Sequence, residues 1–242
     1  MKPKLLFMTL IAMSALTCIV SSEPPAVRED SRLASKRNID AVIEALRPIF
    51  YSSDKAFRLY YRAECHPTKD IGVDEPIPFP FTKVQPPSNS TTGLAAVREV
   101  FKNDKNVTVT EGTDGIIRIT IGKVPTAILQ TKLPLLNLDA TAQYNPQDAF
   151  SAIVNTNEME AAMRLFRFSS IGSLSSTRAE PGEGFPHLPS SMSNVSVEQA
   201  LDEIAKTWAG EGIVIYGVCA ELTEPGGRQR FALDYAGDVV PK

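Results

Sequence analysis

Between residues 195 and 235 the spacing of the apolar residues changes from that of a helix to that of a strand, and this constrains the fold more than any other stretch. Ser196 stands where a helix N-cap belongs and Gln199 follows three residues later, the spacing of a capping box. Val197, Leu201, Ile204 and Trp208 then fall at i, i+4, i+7 and i+11, one face of a helix. Gly210 and Gly212 end it. Residues 213–219 form an apolar run suited to a buried strand, and Pro225, Gly226 and Gly227 mark a turn. Phe231, Leu233 and Tyr235 alternate as a second strand does. A helix buried on such a strand pair makes an α+β fold.

The order helix, strand, strand recurs upstream. Thr91 or Thr92 caps a helix whose Leu94, Val97 and Phe101 share a face, and Asn103 ends it. Residues 106–110 alternate, Asp114-Gly115 turns the chain, and 116–121 supply the partner strand. In an earlier copy Ile39, Val42, Ile43 and Leu46 form the helical face, Pro48 halts the helix, and Phe57–Cys65 is a strand. Residues 79–84 supply a second strand whose prolines confine it to an edge. The expected fold is therefore α+β, built of repeated helix–strand–strand units with small, mostly antiparallel sheets. Residues 124–137 read as a turn opened by Pro125 and an extended segment. A helical pair lies near 145–168: Asn145-Pro146 starts the first helix, with Ala149, Phe150 and Ile153 inward. The second carries Met159, Ala162, Met163 and Phe166 at helical spacing. Residues 169–192, rich in Ser, Gly and Pro, read as a loop. The organisation expected is a signal peptide at 1–22, a flexible leader at 23–36 and an N-terminal α+β region at 37–140. A helical segment at 141–168, the loop at 169–192 and a C-terminal unit at 193–242 follow.

The signal rests on basic Lys2 and Lys4, the apolar run from Leu5 to Val20, and Ser21-Ser22 before a polar stretch. That run is about 16 residues, short of the roughly 20 that span a bilayer, and Ala15-Leu16-Thr17 fits a lipobox before Cys18 poorly. The reading is a cleaved signal, a periplasmic or secreted protein, and no membrane span once the signal is removed. Without Lys2 and Lys4 the chain has 23 basic against 28 acidic residues. That balance argues against nucleic acid, which demands a concentrated positive surface. Cys65 and Cys219 remain, each at the end of an expected strand, and an oxidising compartment makes a disulfide between them the default.

Catalytic patterns are scarce. There is no G-x-S-x-G elbow, no phosphate loop and no H-E-x-x-H. His66 and His187 both neighbour prolines, which marks turn residues rather than catalytic bases. Cys65, His66, His187 and Cys219 have the composition of a Cys₂His₂ zinc site, but adjacent Cys-His residues on an extended chain point to opposite sides. Asn103-Asp104-Lys105-Asn106 lacks the glycine and glutamate of a calcium loop. Asp202/Glu203 and Glu158/Glu160 read as solvated helix charge, and Trp208, Tyr216, Phe231 and Tyr235 as core. Asn89, Asn106 and Asn194 each begin a glycosylation acceptor pattern, which has meaning only in a eukaryotic source. No catalytic residue, metal or cofactor is expected.

The stretch Asn194-Val195-Ser196-Val197-Glu198-Gln199-Ala200-Leu201-Asp202-Glu203-Ile204, with the strand at 213–216, resembles the secretin and TonB short N-terminal domain. The likeness covers mainly residues 194–235. It implies a small α+β module that binds protein partners or stacks into rings at the bacterial cell envelope. The chain departs from that family in carrying no barrel downstream. The function expected is an exported, non-enzymatic protein-binding or assembly module whose partner is an envelope or secreted protein. The alternative is a secreted hydrolase with its site in the 169–192 loop.

Overall fold

A computed structural model describes residues 31–65, 77–88, 91–171, 184–221 and 229–238. The expected signal peptide, His66 and residues 172–183 of the expected loop lie outside them. Strand β1, Phe57–Cys65, organises the whole. Its sequence alternates between two faces that are both covered, so odd and even positions enter different cores. Phe57, Leu59, Tyr61 and Ala63 pack with helix α1, Ser31–Tyr51, and helix α2, Gly93–Val100. Tyr60 enters the opposite core.

Strands β2 (Val107–Glu111) and β3 (Ile117–Ile121) form a hairpin, and β3 lies parallel to β1. A single helical turn at Ile128–Gln130 and strand β4 (Lys132–Asn137) follow. Then come helices α3 (Ala140–Tyr144), α4 (Pro146–Val154) and α5 (Asn157–Phe166), and strand β5 (Phe168–Ile171). Strand β6 (Ser191–Ser196) pairs with β4, and helix α6 (Val197–Thr207) leads into β7 (Gly212–Glu221) and β8 (Gln229–Gly237). The main sheet runs β2-β3-β1-β7-β8-β5. Helices α1 and α2 cover one face; α4, α5, α6 and the β4–β6 ribbon cover the other. This is an α+β fold in three layers.

Local expectations hold where one segment decides them. Ser196 and Gln199 complete the capping box of α6, and Asn145 caps α4 ahead of Pro146. Trp208, Tyr216, Phe231 and Tyr235 are all core. Other expectations are corrected. The helix–strand–strand units pool their strands into one sheet in place of separate small ones. Three of the six strand pairs are parallel, so the sheets are mixed rather than mostly antiparallel. Helix α1 begins at Ser31, inside the expected leader, and continues through Pro48. Proline there removes a helix hydrogen bond, but buried Ile49 and Phe50 hold the last turn against the core. Thr92 stands at the N-cap of α2 without a side-chain capping bond. The expected loop at 169–192 gives up its ends to β5 and β6.

Residues 79–84 form no strand. Pro78 and Pro80 offer no N–H to a ladder, and the other polar groups of this strap go to side chains and turns. Phe79 N–H donates to Ser35, Asn38 donates to the carbonyl of Pro80, and Thr82 N–H donates to Asn38 Oδ1 at 3.3 Å. Lys83 N–H reaches Asp104 at 2.9 Å. Across the strap the Phe79 ring lies on Tyr61, with centroids 4.8 Å apart. Tyr61 in turn lies over Gly217, its neighbour on β7, where a Cβ would sit 2.4 Å from the ring. Only glycine fits beneath that ring.

Candidate functional site

The parallel strands β3, β1 and β7 stand side by side in that spatial order. In chain order β1 comes first, β3 second and β7 third. The path from β1 to β3 passes through α2 on one face; the path from β3 to β7 passes through α6 on the other. The chain therefore winds away from β1 in both directions, and the carboxyl ends of all three strands open on one edge. An open cleft of ≈ 500 Å³ lies there. Arg62, Ala63 and Glu64 of β1, Gly122 and Lys123 after β3, and Ala220 of β7 line it, with Pro78, Phe79 and Pro80 of the strap.

A second constellation lies between the sheet and α6. Arg58 of β1 and Arg118 of β3 are register partners and sit side by side. Arg58 is only 1% exposed. Its Nη1 donates to Glu198 Oε1 at 2.8 Å and to Asp202 Oδ1 at 2.6 Å. Arg118 donates to Asp202 Oδ2 at 2.9 Å and, with two nitrogens, to Asp114 at 2.6 and 3.0 Å. Glu198 and Asp202 are one helical turn apart, so both meet the arginine pair. The Tyr60 hydroxyl donates to Glu198 at 2.6 Å, and its ring lies 4.5 Å beneath the Arg58 guanidinium. Burial holds that phenol protonated well above its ordinary range, with Arg58 opposing. The Arg118 guanidinium, by donating to Asp114, lowers that carboxyl to about 2, aided by the Ile116 N–H and opposed by burial.

Asp202 is thus corrected: it is an ion-pair anchor, while Glu203 next to it is exposed as expected. Two arginines answer three carboxylates, and Arg58 Nε and Nη2 remain buried without hydrogen-bond partners. Burying such charge offers little net stability even when paired, but removing one partner is costly. The network therefore fixes where α6 sits on the sheet. The signal was present in the sequence: an arginine between apolar residues in each of two strands, and a Glu-Asp pair at i, i+4 on an amphipathic helix.

The remaining candidates stay apart. His187 lies at the surface against Tyr144, ring centroids 5.5 Å apart. Glu160 pairs with Arg164 at 2.9 Å on the outside of α5. Asp104 caps a turn, accepting from Asn106 N–H at 2.9 Å. Among the described residues no group of three His, Cys, Asp or Glu side chains could hold a metal ion, and no helix is long and apolar enough to cross a membrane. Cys219 is buried in β7, opposite Ala63 of β1, and position 65 lies two residues beyond that rung.

The end of α5 departs from its expected role. Met159 and Ala162 are buried as the helical spacing requires, but Phe166 is 38% exposed and Leu165 beside it 74%. Arg167 then takes a left-handed conformation at φ 58°, which ends the helix and turns the chain into β5. Strand β5 is the last of the main sheet, and its outer edge is unpaired among the described residues. The opposite edge, β2, is blunted: it shows Thr108, Thr110 and Glu111 outward, and Arg98 donates to the Val109 carbonyl at 3.5 Å.

Comparison with protein-family models, curated proteins and solved structures finds no match.

Proposed function

We propose that the chain is an exported, non-enzymatic protein-binding or assembly module of the bacterial cell envelope, which receives an extended segment of a partner protein along β5. The observation that carries this reading is the exposed Leu165-Phe166 pair at the end of α5, next to β5, whose outer edge is unpaired among the described residues. An edge strand offers unsatisfied N–H and C=O groups to an incoming strand, and adjacent apolar side chains add specificity. Edges not meant for pairing are covered or charged, as β2 is. Export is supported by the basic start, apolar run and small residues of positions 1–22. The envelope setting is supported by the resemblance of residues 194–235 to the secretin and TonB short N-terminal domain, whose capped helix and following strand have counterparts in α6 and β7.

The test is affinity capture from an envelope extract, with wild-type chain and a Leu165→Asp/Phe166→Ser variant as baits. A protein retained by the first and lost by the second, with both baits melting alike, is the expected result. Identical captures, or none, would remove β5 as the docking edge.

A further inference from the structure

We propose that the cleft at the carboxyl ends of β3, β1 and β7 binds a small organic anion, an apolar body bearing a carboxylate or phosphate. Topology gives the first reason. In open sheets with parallel strands, ligands sit outside the carboxyl ends where the winding reverses, because the two connections leave in opposite directions and a crevice stays open between them. Spatial order β3-β1-β7 with crossovers on opposite faces is such a reversal.

Size and lining give the second. A volume near 500 Å³ lies within the range of small-molecule sites. Small residues contribute to its lining: Ala63, Gly122 and Ala220. Phe79 forms an apolar wall, flanked by two prolines and tied to α1 through Ser35 and Asn38. That wall is built before any ligand arrives, which lowers the ordering cost of binding.

Charge gives the third. Arg62 and Lys123 face one carboxylate, Glu64, so the rim carries a net positive charge. Neither cation is engaged in a hydrogen bond or ion pair among the described residues. Arg58, four residues earlier on the same strand face, is by contrast paired with Glu198 and Asp202 of α6. Two uncommitted cations at the mouth of an apolar cleft suit a ligand with an anionic head and an apolar body.

The experiment is a two-dimensional amide NMR titration of the full chain with benzoate, with phenyl phosphate, and with neutral benzamide. Saturable shifts should centre on Ala63, Phe79, Gly122 and Ala220 for one or both anions. An Arg62→Gln/Lys123→Gln variant should bind about tenfold more weakly or worse, a loss of one factor of ten in affinity or more. Both side chains are exposed, so an unchanged melting temperature separates lost binding from lost fold. An Ala220→Leu variant, which narrows the cleft from the opposite side, should weaken all probes. Absence of saturable shifts, shifts centred elsewhere, equal binding of benzamide, or a double variant that binds like wild type would each overturn the proposal.

Discussion

Asp202 and Glu203 are chemically similar neighbours on α6 with opposite expected sensitivities. Asp202→Ala removes a carboxylate shared by Arg58 and Arg118 and leaves Arg58 buried with Glu198 alone. It should destabilise by about 2–4 kcal/mol, below the full cost of stranding a buried charge because one carboxylate remains. Glu203→Ala should stay within roughly 0.5 kcal/mol; urea unfolding of the pair decides. Asp114 adds a pH dependence. Arg118 holds its carboxyl at about 2 in the folded chain, against an ordinary 3.8. The unfolded chain thus takes up that proton first, so the stabilisation is complete above about pH 4 and is lost as pH falls toward 2. Melting temperature should fall over that window, and less steeply in Arg118→Gln. Cys65 and Cys219 supply a further test. The disulfide expected between them would close a loop of about 155 residues and contribute up to roughly 5 kcal/mol. Intact mass of protein purified without reductant should be two hydrogens below the reduced mass; two free thiols would end the idea.

Helix α6 shows what a single element owes to its own sequence. Leu201 is fully buried, and Leu201→Ala should cost about 2–5 kcal/mol. Ser196→Ala, which deletes half of the capping box, should cost about 1 kcal/mol. Reversal of that order in thermal unfolding would mean the cap, rather than the core face, holds the helix. Elements of this kind were legible because a cap, a period and a stop lie within one short window. So were the hairpin turn at Asp114-Gly115, where φ is +77° at Gly115, and the start of α4. Residues 79–84 were misread as an edge strand because the earlier helix–strand copy called for a second strand there, and the question of where each N–H goes decides against it. Helical spacing groups Phe166 with Met159 and Ala162, but Phe166 is the last residue of α5, and burial of that face stops short of it. The residue types of the ion network were visible, but its pairing and the cleft were not: both join strands far apart in the chain, and no local pattern carries strand order.

At the scale of the molecule, β1 sits at the centre of the sheet and joins the expected N-terminal and C-terminal regions. The 193–242 unit is consequently one flank of a larger structure. Its Ile213 and Ile215 pack into the core built with α1 and α2, so residues 193–242 produced alone should show a collapsed amide spectrum and little fixed secondary structure. A dispersed spectrum would restore the independent module. The position of β1 also sets a schedule. It is the first of the described strands to be synthesised, yet one neighbour lies some 60 residues downstream and the other more than 150. Closing such long loops before any reward arrives slows folding. Until residue 221 emerges, the stretch Phe57-Arg58-Leu59-Tyr60-Tyr61 has only one partner and an open, aromatic side. Before α6 arrives to neutralise it, Arg58 is a lone charge in the middle of an apolar segment, the kind of residue that disfavours pairing between unfolded chains.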